Sequence, residues 1–205
     1  MIIVVTMGAW DFVIGILVGI LLACISFVLQ TSQISAIRGS LPGDVANSTV
    51  RRHPVHYRFL QEAGQQIHVM KLAGYLFFGT IVGVEKQIRA LLLDKSQTLP
   101  IRFLVLDLHN VDGVDYSATE AFTRIKRLLS EDHVHLIICG ITKDGNIGRS
   151  LQIAGLFDAV NGKPYFETLN SALEDCENKL LMTFYQQRDV LSKPESTPTL
   201  GELHV

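Results

Sequence analysis

The sequence predicts an α/β protein in which a mixed β-sheet with about four to five helices follows one transmembrane α-helix. Two observations lead to this prediction. A dense apolar block fills the first 29 residues, and downstream of it nearly continuous apolar runs alternate with segments of helical period. Continuous apolar runs are typical of strands covered on both faces, and strands that alternate with helices favour a sheet with helices packed on it.

The composition limits both the size and the class of the protein. A chain of 205 residues holds one domain of ordinary size plus a membrane helix, so a transporter with many membrane helices needs a longer chain. The net charge of -2 provides no basic field for a phosphate backbone, so we expect no nucleic-acid partner. Cys24, Cys139 and Cys176 are odd in number and widely spaced, which fits a reducing compartment.

The apolar block at residues 1–29 predicts a transmembrane helix. Residues 12–29 read FVIGILVGILLACISFVL, which is about the length that spans a bilayer core. A signal peptide is the alternative, but it needs a positively charged start, and no Lys or Arg precedes Arg38. Arg38, Arg51 and Arg52 follow the block, so the positive-inside bias places the C-terminal side in the cytosol. The glycosylation sequon at Asn47 is then unused.

Small residues recur every four positions along the predicted membrane helix, at Gly15, Gly19 and Ala23. Such a face lets a second helix approach closely in lipid, although glycine is also simply common in membrane helices. Asp11 lies at the edge of the block, where its carboxylate reaches either the interface or other helices. These features predict a helix that packs against neighbouring membrane helices.

The remaining chain divides into a connector, a globular domain and a tail. We expect a connector without regular structure at residues 30–53, a domain at 54–184 and a disordered tail at 185–205. Within the domain, alternation predicts a hairpin formed by residues 55–59 and 67–72. Later periodicity predicts helices at 80–93, 117–130, 147–153 and 166–184, and strands at 102–108 and 135–141.

Several of these segments resemble those of the STAS domains that close SulP-family anion permeases. The resemblance rests on the strand, glycine and paired phenylalanines of residues 67–79, on the strand and loop FLVLDLHNVDGVDYSA at 103–118, and on LQIAGLF at 151–157. Upstream, residues 11–19 resemble the last membrane helix of these transporters, and residues 39–43 resemble their linker. The amino-acid sequences at residues 115–118 and 173–178 are similar to those of a fungal branch associated with vacuolar membranes.

This resemblance implies the C-terminal part of a secondary transporter for sulfate-like anions. It further implies a cytosolic STAS domain that supports folding, regulation and homodimerisation, a vacuolar or plasma membrane location, and contacts with lipid and with other transporter helices. The substrate site of such transporters lies among helices outside the 205 residues. The alternative is a membrane-tethered STAS adaptor that acts by protein–protein interaction without transport.

A loop with Asp112, Asp115, Ser117 and Thr119 is the candidate regulatory or partner-contact site. The resemblance implies a phosphorylation site at Ser117, because bacterial STAS proteins that antagonise anti-sigma factors carry a phosphorylated serine at this position. The alternative, which we favour, is that Ser117 begins a capping box with Glu120 and satisfies the helix N-terminus.

No pattern in the sequence predicts an enzyme, a cofactor or a metal site. Residues 143–150 place glycines near a helix start but lack the spacing of a P-loop, and a plain loop is the favoured interpretation. His133 and His135 are predicted to share a strand face, but no third ligand lies nearby in sequence. A Gly-x-Ser-x-Gly elbow is absent from the sequence.

Overall fold

A computed structural model describes residues 12–32, 35–94, 99–142, 144–157 and 165–192. Asp11 and the rest of residues 1–11, together with residues 193–205 of the predicted tail, lie outside the described residues. The described helices are α1 (Phe12–Ser32), α2 (Pro54–Ala63), α3 (Phe78–Leu93), α4 (Tyr116–Glu131), α5 (Asn146–Ile153) and α6 (Leu169–Ser192). The strands are β1 (Ile37–Pro42), β2 (Ile67–Leu76), β3 (Phe103–Val114), β4 (His135–Cys139) and β5 (Tyr165–Phe166).

The five strands form one mixed sheet in the order β1-β2-β3-β4-β5. Strand β1 pairs antiparallel with β2, and the other neighbours pair in parallel. Val69, Val105 and Ile137 lie side by side across β2, β3 and β4, and all three are buried. The α/β prediction is therefore confirmed, and the parallel strands are connected through helices as crossovers require.

Two apolar layers cover the sheet, one on each face. Helices α3, α4 and α5 contribute Ile81, Phe122 and Leu151 to the larger layer. Helices α2 and α6 cover the opposite face, where Leu60 and Leu180 pack with Val69 and Val105. The continuous apolar run of β3 is explained by this double cover, because its alternate side chains enter opposite layers.

The expectation of no regular structure at residues 30–53 is wrong for residues 30–32, which end α1, and for residues 37–42, which form β1. Ser40 pairs with Met70 and Leu41 with Val69, and the register shifts between Ile37 and Gly39. The Gly-Ser-Leu-Pro composition favours a turn, but it is also compatible with an irregular edge strand, where proline is tolerated.

The predicted hairpin is also wrong, because residues 54–63 form α2 instead of a strand. Pro54 occupies the first helical turn, and the His53 ring accepts a hydrogen bond from the Val55 amide (3.4 Å). Proline is well suited to the start of a helix because its fixed backbone angle matches the helix and no amide is lost. Five alternating residues are too few to distinguish the period of a strand from that of a helix.

Several element ends differ from the predicted ones, most of all those of β3 and α6. Strand β3 runs to Val114, six residues past the predicted end, because β2 continues to pair with it through Leu76. Tyr165 and Phe166 form β5, so the predicted helix at 166–184 begins three residues later. Helix α6 then continues to Ser192, so the prediction of a disordered tail is wrong for residues 185–192.

The described part of the apolar block lies in helix α1. Residues 13–30 have a mean hydropathy of 2.7, and only 6% of them are buried, so α1 is long and apolar enough to cross a membrane. A signal sequence meets the same criteria of length and composition. The basic residues that follow α1 favour a membrane helix.

Candidate functional site

The candidate site lies where β3 ends and α4 begins, at the carboxyl edge of the parallel strands. Ligand and partner sites of α/β sheets concentrate at this edge, because the loops that leave the strands meet there. The structure brings Asp115, Ser117 and Thr119 together at the start of α4, whereas Asp112 lies on the exposed end of β3.

Asp115 is the N-cap of α4. Its Oδ1 accepts a hydrogen bond from the Ala118 amide (2.6 Å), and its Oδ2 accepts one from the Phe78 amide (3.3 Å). The Asp115 amide in turn donates to the carbonyl of Leu76 (3.0 Å). One carboxylate thus satisfies donors at the starts of both α3 and α4 and fixes the two helices relative to each other.

The capping box predicted at Ser117 is therefore wrong. Asp115 has the extended backbone of an N-cap residue, and the helix already begins at Tyr116, so Ser117 lies within the first turn. Aspartate and serine are both strong N-caps, and the sequence offers both within three residues. The end of β3 decides between them, because it leaves Asp115 as the last extended residue.

Ser117 and Thr119 have different environments. Ser117 is exposed in the first turn of α4. Thr119 is 7% exposed, and its hydroxyl donates to the carbonyl of Asp115 (2.8 Å). Ser117 is thus accessible to a modifying enzyme or a partner, whereas Thr119 stabilises the turn from inside.

Two aromatic residues beside the loop were not among the predicted site residues. Tyr116 is 78% exposed, and a hydrogen bond to the carboxylate of Glu120 raises the pKa of its phenol. Tyr75 packs over Gly113, where a Cβ atom would lie 2.5 Å from the ring. The only sequence signal for these residues was an aromatic side chain next to a loop, which is too common to single out a site.

A groove of about 680 Å³ opens between α4 and α5 next to the loop. Its walls include Tyr116 and Ile153, the latter 89% exposed, and Arg124 and Glu120 supply charge. Large exposed apolar side chains beside a few polar groups are typical of surfaces that bind a partner. The remaining lining residues are Val114, Asp115, Thr119, Thr123, Ser150 and Ala154.

The two buried cysteines are not activated nucleophiles. Burial raises the pKa of the Cys139 thiol to about 12, and burial together with Asp175 raises the pKa of the Cys176 thiol. Nucleophilic cysteines need the opposite shift, because the thiolate is the reactive form. Cys24 is exposed on α1.

The two candidate metal ligands do not share a strand face. His133 precedes β4 with a left-handed backbone (φ 57°), and only His135 belongs to the strand. Among the described residues, no group of three or more His, Cys, Asp or Glu side chains is placed to hold a metal ion.

The predicted packing residues of the membrane helix all lie on α1. Gly15 is buried, Gly19 is half-buried and Ala23 is exposed. Positions four apart share one helix face, so the three residues form a stripe of small side chains. Around them, α1 exposes large apolar side chains such as Leu17 and Phe27.

Comparison with known proteins identifies the domain. The family model described as the STAS domain matches residues 61–172, which is more than half of the chain. The chain belongs to the STAS domain family. The match begins within α2 and ends within α6, so it includes the whole parallel part of the STAS sheet.

Curated relatives of this STAS protein are membrane transporters. The chain is 44% identical over 192 residues to the vacuolar basic amino acid transporter VSB1 of Saccharomyces cerevisiae. This alignment covers 91% of the chain and 18% of the relative. It is 23% identical over 172 residues to the chloroplastic sulfate transporter 4.1 of Arabidopsis thaliana, covering 80% of the chain and 24% of the relative. The chain thus spans less than a quarter of the length of these relatives.

A solved transporter structure shares the fold of the STAS chain. The murine Solute Carrier 26 family member A9 anion transporter, in its inward-facing state, superposes with a TM-score of 0.59 at 15% identity. The superposition covers 85% of the chain and 27% of that transporter. At this identity the likeness concerns the fold alone.

Proposed function

We propose that this chain is the C-terminal part of a SulP-type secondary transporter, in which the STAS domain supports folding, dimerisation and regulation of the membrane part. The observation that carries the proposal is the 44% identity to a yeast transporter over 91% of the chain. Because less than a tenth of the chain lies outside this alignment, the similarity includes sequence from both α1 and the STAS domain. Transport itself then belongs to the longer protein.

For the substrate of that longer protein we propose basic amino acids, and for its location the vacuolar membrane. Both proposals follow the name of the yeast relative. The sulfate-like anion that the sequence suggests is the second candidate, supported at lower identity by two Arabidopsis thaliana relatives named as a sulfate transporter and a probable one.

For the membrane part, we propose that the stripe of Gly15, Gly19 and Ala23 packs against other transporter helices, with the STAS domain in the cytosol. The spacing of these residues on α1 and the basic residues after the helix support this arrangement. A homodimer of the longer transporter is part of the same proposal.

The loop of Asp112, Asp115, Ser117 and Thr119 is proposed as the regulatory contact of the STAS domain. Ser117 is exposed at a helix N-terminus, where the helix dipole favours a phosphate, although Asp115 next to it opposes the added charge. The exposed Tyr116 and the adjacent groove favour protein contact, which would also serve a membrane-tethered adaptor without transport.

A chimera tests the transport proposal. The corresponding C-terminal segment of the yeast relative is replaced by this chain, and uptake of arginine and of sulfate is measured in isolated vacuoles. We expect arginine uptake to return to at least half of the level of the unmodified yeast transporter. The matched control is the same transporter truncated before the exchanged segment.

Two results would contradict the proposal. One is a chimera that reaches the vacuole in normal amount but takes up no more arginine or sulfate than the truncated control. The other is restored sulfate uptake without arginine uptake, which would replace the proposed substrate class with the second candidate.

A further inference from the structure

A cluster of polar side chains joins the segment before α2 to the last helix of the domain. We call it the connector latch; it consists of Ser48, Thr49 and Arg52 on one side and Asn170, Glu177 and Asn178 of α6 on the other. Its centre is the carboxylate of Glu177, which is 6% exposed although it carries a charge. Buried carboxylates are rare unless they are paired, and this one has three donors.

The three donors to Glu177 come from two connector residues. The Ser48 amide donates to Oε1 (2.8 Å), the Ser48 hydroxyl donates to Oε2 (2.6 Å), and Arg52 Nε forms an ion pair with Oε2 (2.9 Å). Only 12% of the Arg52 side chain is exposed, so this pair is shielded from water. Hydrogen bonds to ionised groups in such surroundings are about twice as strong as neutral ones.

Two amides of α6 complete the latch. Asn170 Oδ1 accepts hydrogen bonds from the Thr49 amide (2.7 Å) and the Thr49 hydroxyl (3.0 Å). Asn178 Oδ1 accepts one from Arg52 Nη1 (2.8 Å). All three acceptor side chains lie on α6. Each of these contacts therefore depends on where α6 lies relative to the connector.

The connector has no regular structure of its own at this point. Residues 47–53 form neither helix nor strand, and within the described part of the chain the amides of Ser48 and Thr49 are satisfied by α6 side chains. Upstream, Val45 and Ala46 donate to the carbonyl of Pro42, and downstream α2 begins. The backbone at Ser48 and Thr49 is therefore held in place by α6.

Loss of one partner would leave a buried charge or amide unsatisfied, which favours making or losing these contacts together. The six residues lie outside all five strands. Opening therefore breaks none of the backbone hydrogen bonds of the sheet.

We propose that the connector latch is a conformational device that couples the connector to α6 and opens as one unit while the sheet stays folded. A partner or modification that breaks the contacts of Glu177 would release the connector, and with it the segment between the membrane helix and the domain. This proposal concerns the chain itself and does not depend on the proposed transport.

Hydrogen–deuterium exchange on the full chain in lipid nanodiscs tests the proposal. In Glu177→Gln, we expect amides in peptides covering residues 47–53 to exchange at least about tenfold faster than in the wild type, because the buried ion pair is lost. Amides of β3 are expected to exchange at the wild-type rate. Asp175→Asn is the matched control, because Asp175 lies on the same helix in a half-exposed ion pair with Lys179 (2.7 Å).

A second variant keeps the test informative if Glu177→Gln fails to fold. Asn170→Ala removes the acceptor of both Thr49 bonds and leaves the buried ion pair in place, and we expect about threefold faster exchange at Thr49. Unchanged exchange at residues 47–53 in both variants would overturn the proposal. Equal acceleration in β3 would also overturn it, because the latch would then not open independently of the sheet.

Discussion

At the residue scale, Asp115 organises the candidate site. Its carboxylate accepts hydrogen bonds from the amides of Ala118 and Phe78 and so joins the starts of two helices. We expect Asp115→Ala to lower the free energy of unfolding by about 1 kcal/mol, the usual cost of losing an N-cap. Urea denaturation in detergent micelles, followed by circular dichroism, measures this change.

Ser117→Ala is the matched control for the cap. Ser117 is exposed and lies inside the first turn, so we expect its change in unfolding free energy to stay within about 0.5 kcal/mol. A larger loss for Ser117→Ala than for Asp115→Ala would show that serine is the cap in solution.

Because of His68, we expect the free energy of unfolding to depend on pH. Burial lowers the pKa of this histidine below its ordinary value of 6.5, and Ser40 Oγ lies 2.7 Å from its Nε2. As pH falls through 6.5, the unfolded chain takes up a proton that the folded chain does not. Stability is therefore full above this pH and falls below it, by at most about 1.4 kcal/mol per pH unit for one group.

The measurement compares urea midpoints at pH 7.5 and 5.5. His68→Gln is expected to lose less stability on acidification than the wild type, because it removes the histidine whose pKa burial lowers. His135 acts in the same direction, because burial and the charges of Lys179 and Arg102 lower its pKa. If His68→Gln lost as much stability between pH 7.5 and 5.5 as the wild type, His68 would not be the source of the pH dependence.

At the element scale, the junction after β4 depends on a glycine. Gly140 has a left-handed backbone (φ +79°), and an added Cβ would lie 2.8 Å from the Cα of His109 on the neighbouring strand. Because both the backbone angle and the space exclude a side chain, we expect Gly140→Ala to lower the unfolding free energy by about 1–3 kcal/mol. Thermal unfolding of the chain in micelles measures the effect.

Gly83 provides the opposite case on α3. An added Cβ meets nothing within 4 Å, and the residue is exposed within a helix. Gly83→Ala is expected to raise the unfolding free energy by about 0.5–1 kcal/mol, since alanine is the better helix former. If both glycine variants were neutral, the junction after β4 would be less constrained than this geometry requires.

At the scale of the whole molecule, the proposed orientation in the membrane can be tested at a glycosylation sequon. If the domain lies in the cytosol, as we propose from Arg38, Arg51 and Arg52, the sequon at Asn47 is expected to carry no glycan after expression in yeast. An acceptor sequon added before Met1 serves as the control and is expected to be glycosylated. A glycosidase-sensitive mass shift that depends on Asn47 would reverse the orientation.

Periodicity and continuous apolar runs were sufficient to predict the α/β class, the long apolar helix α1 and most of the helices and strands of the domain. The apolar positions of α3 and α4 repeat at the helical period, and β3 reads as a doubly covered strand. The STAS resemblance rested on the same segments, because strand ends and glycine turns carry the family pattern. These features are local, so the sequence by itself determined them.

Tertiary contacts decided the rest. Residues 37–42 are a strand because β2 offers them an edge, and residues 54–63 are a helix because one of their faces packs against the sheet and α6. Asp115 instead of Ser117 caps α4 because β3 extends to Val114. The connector latch joins residues more than 120 positions apart, a distance over which no sequence period operates. Only the folded chain brings such residues into contact.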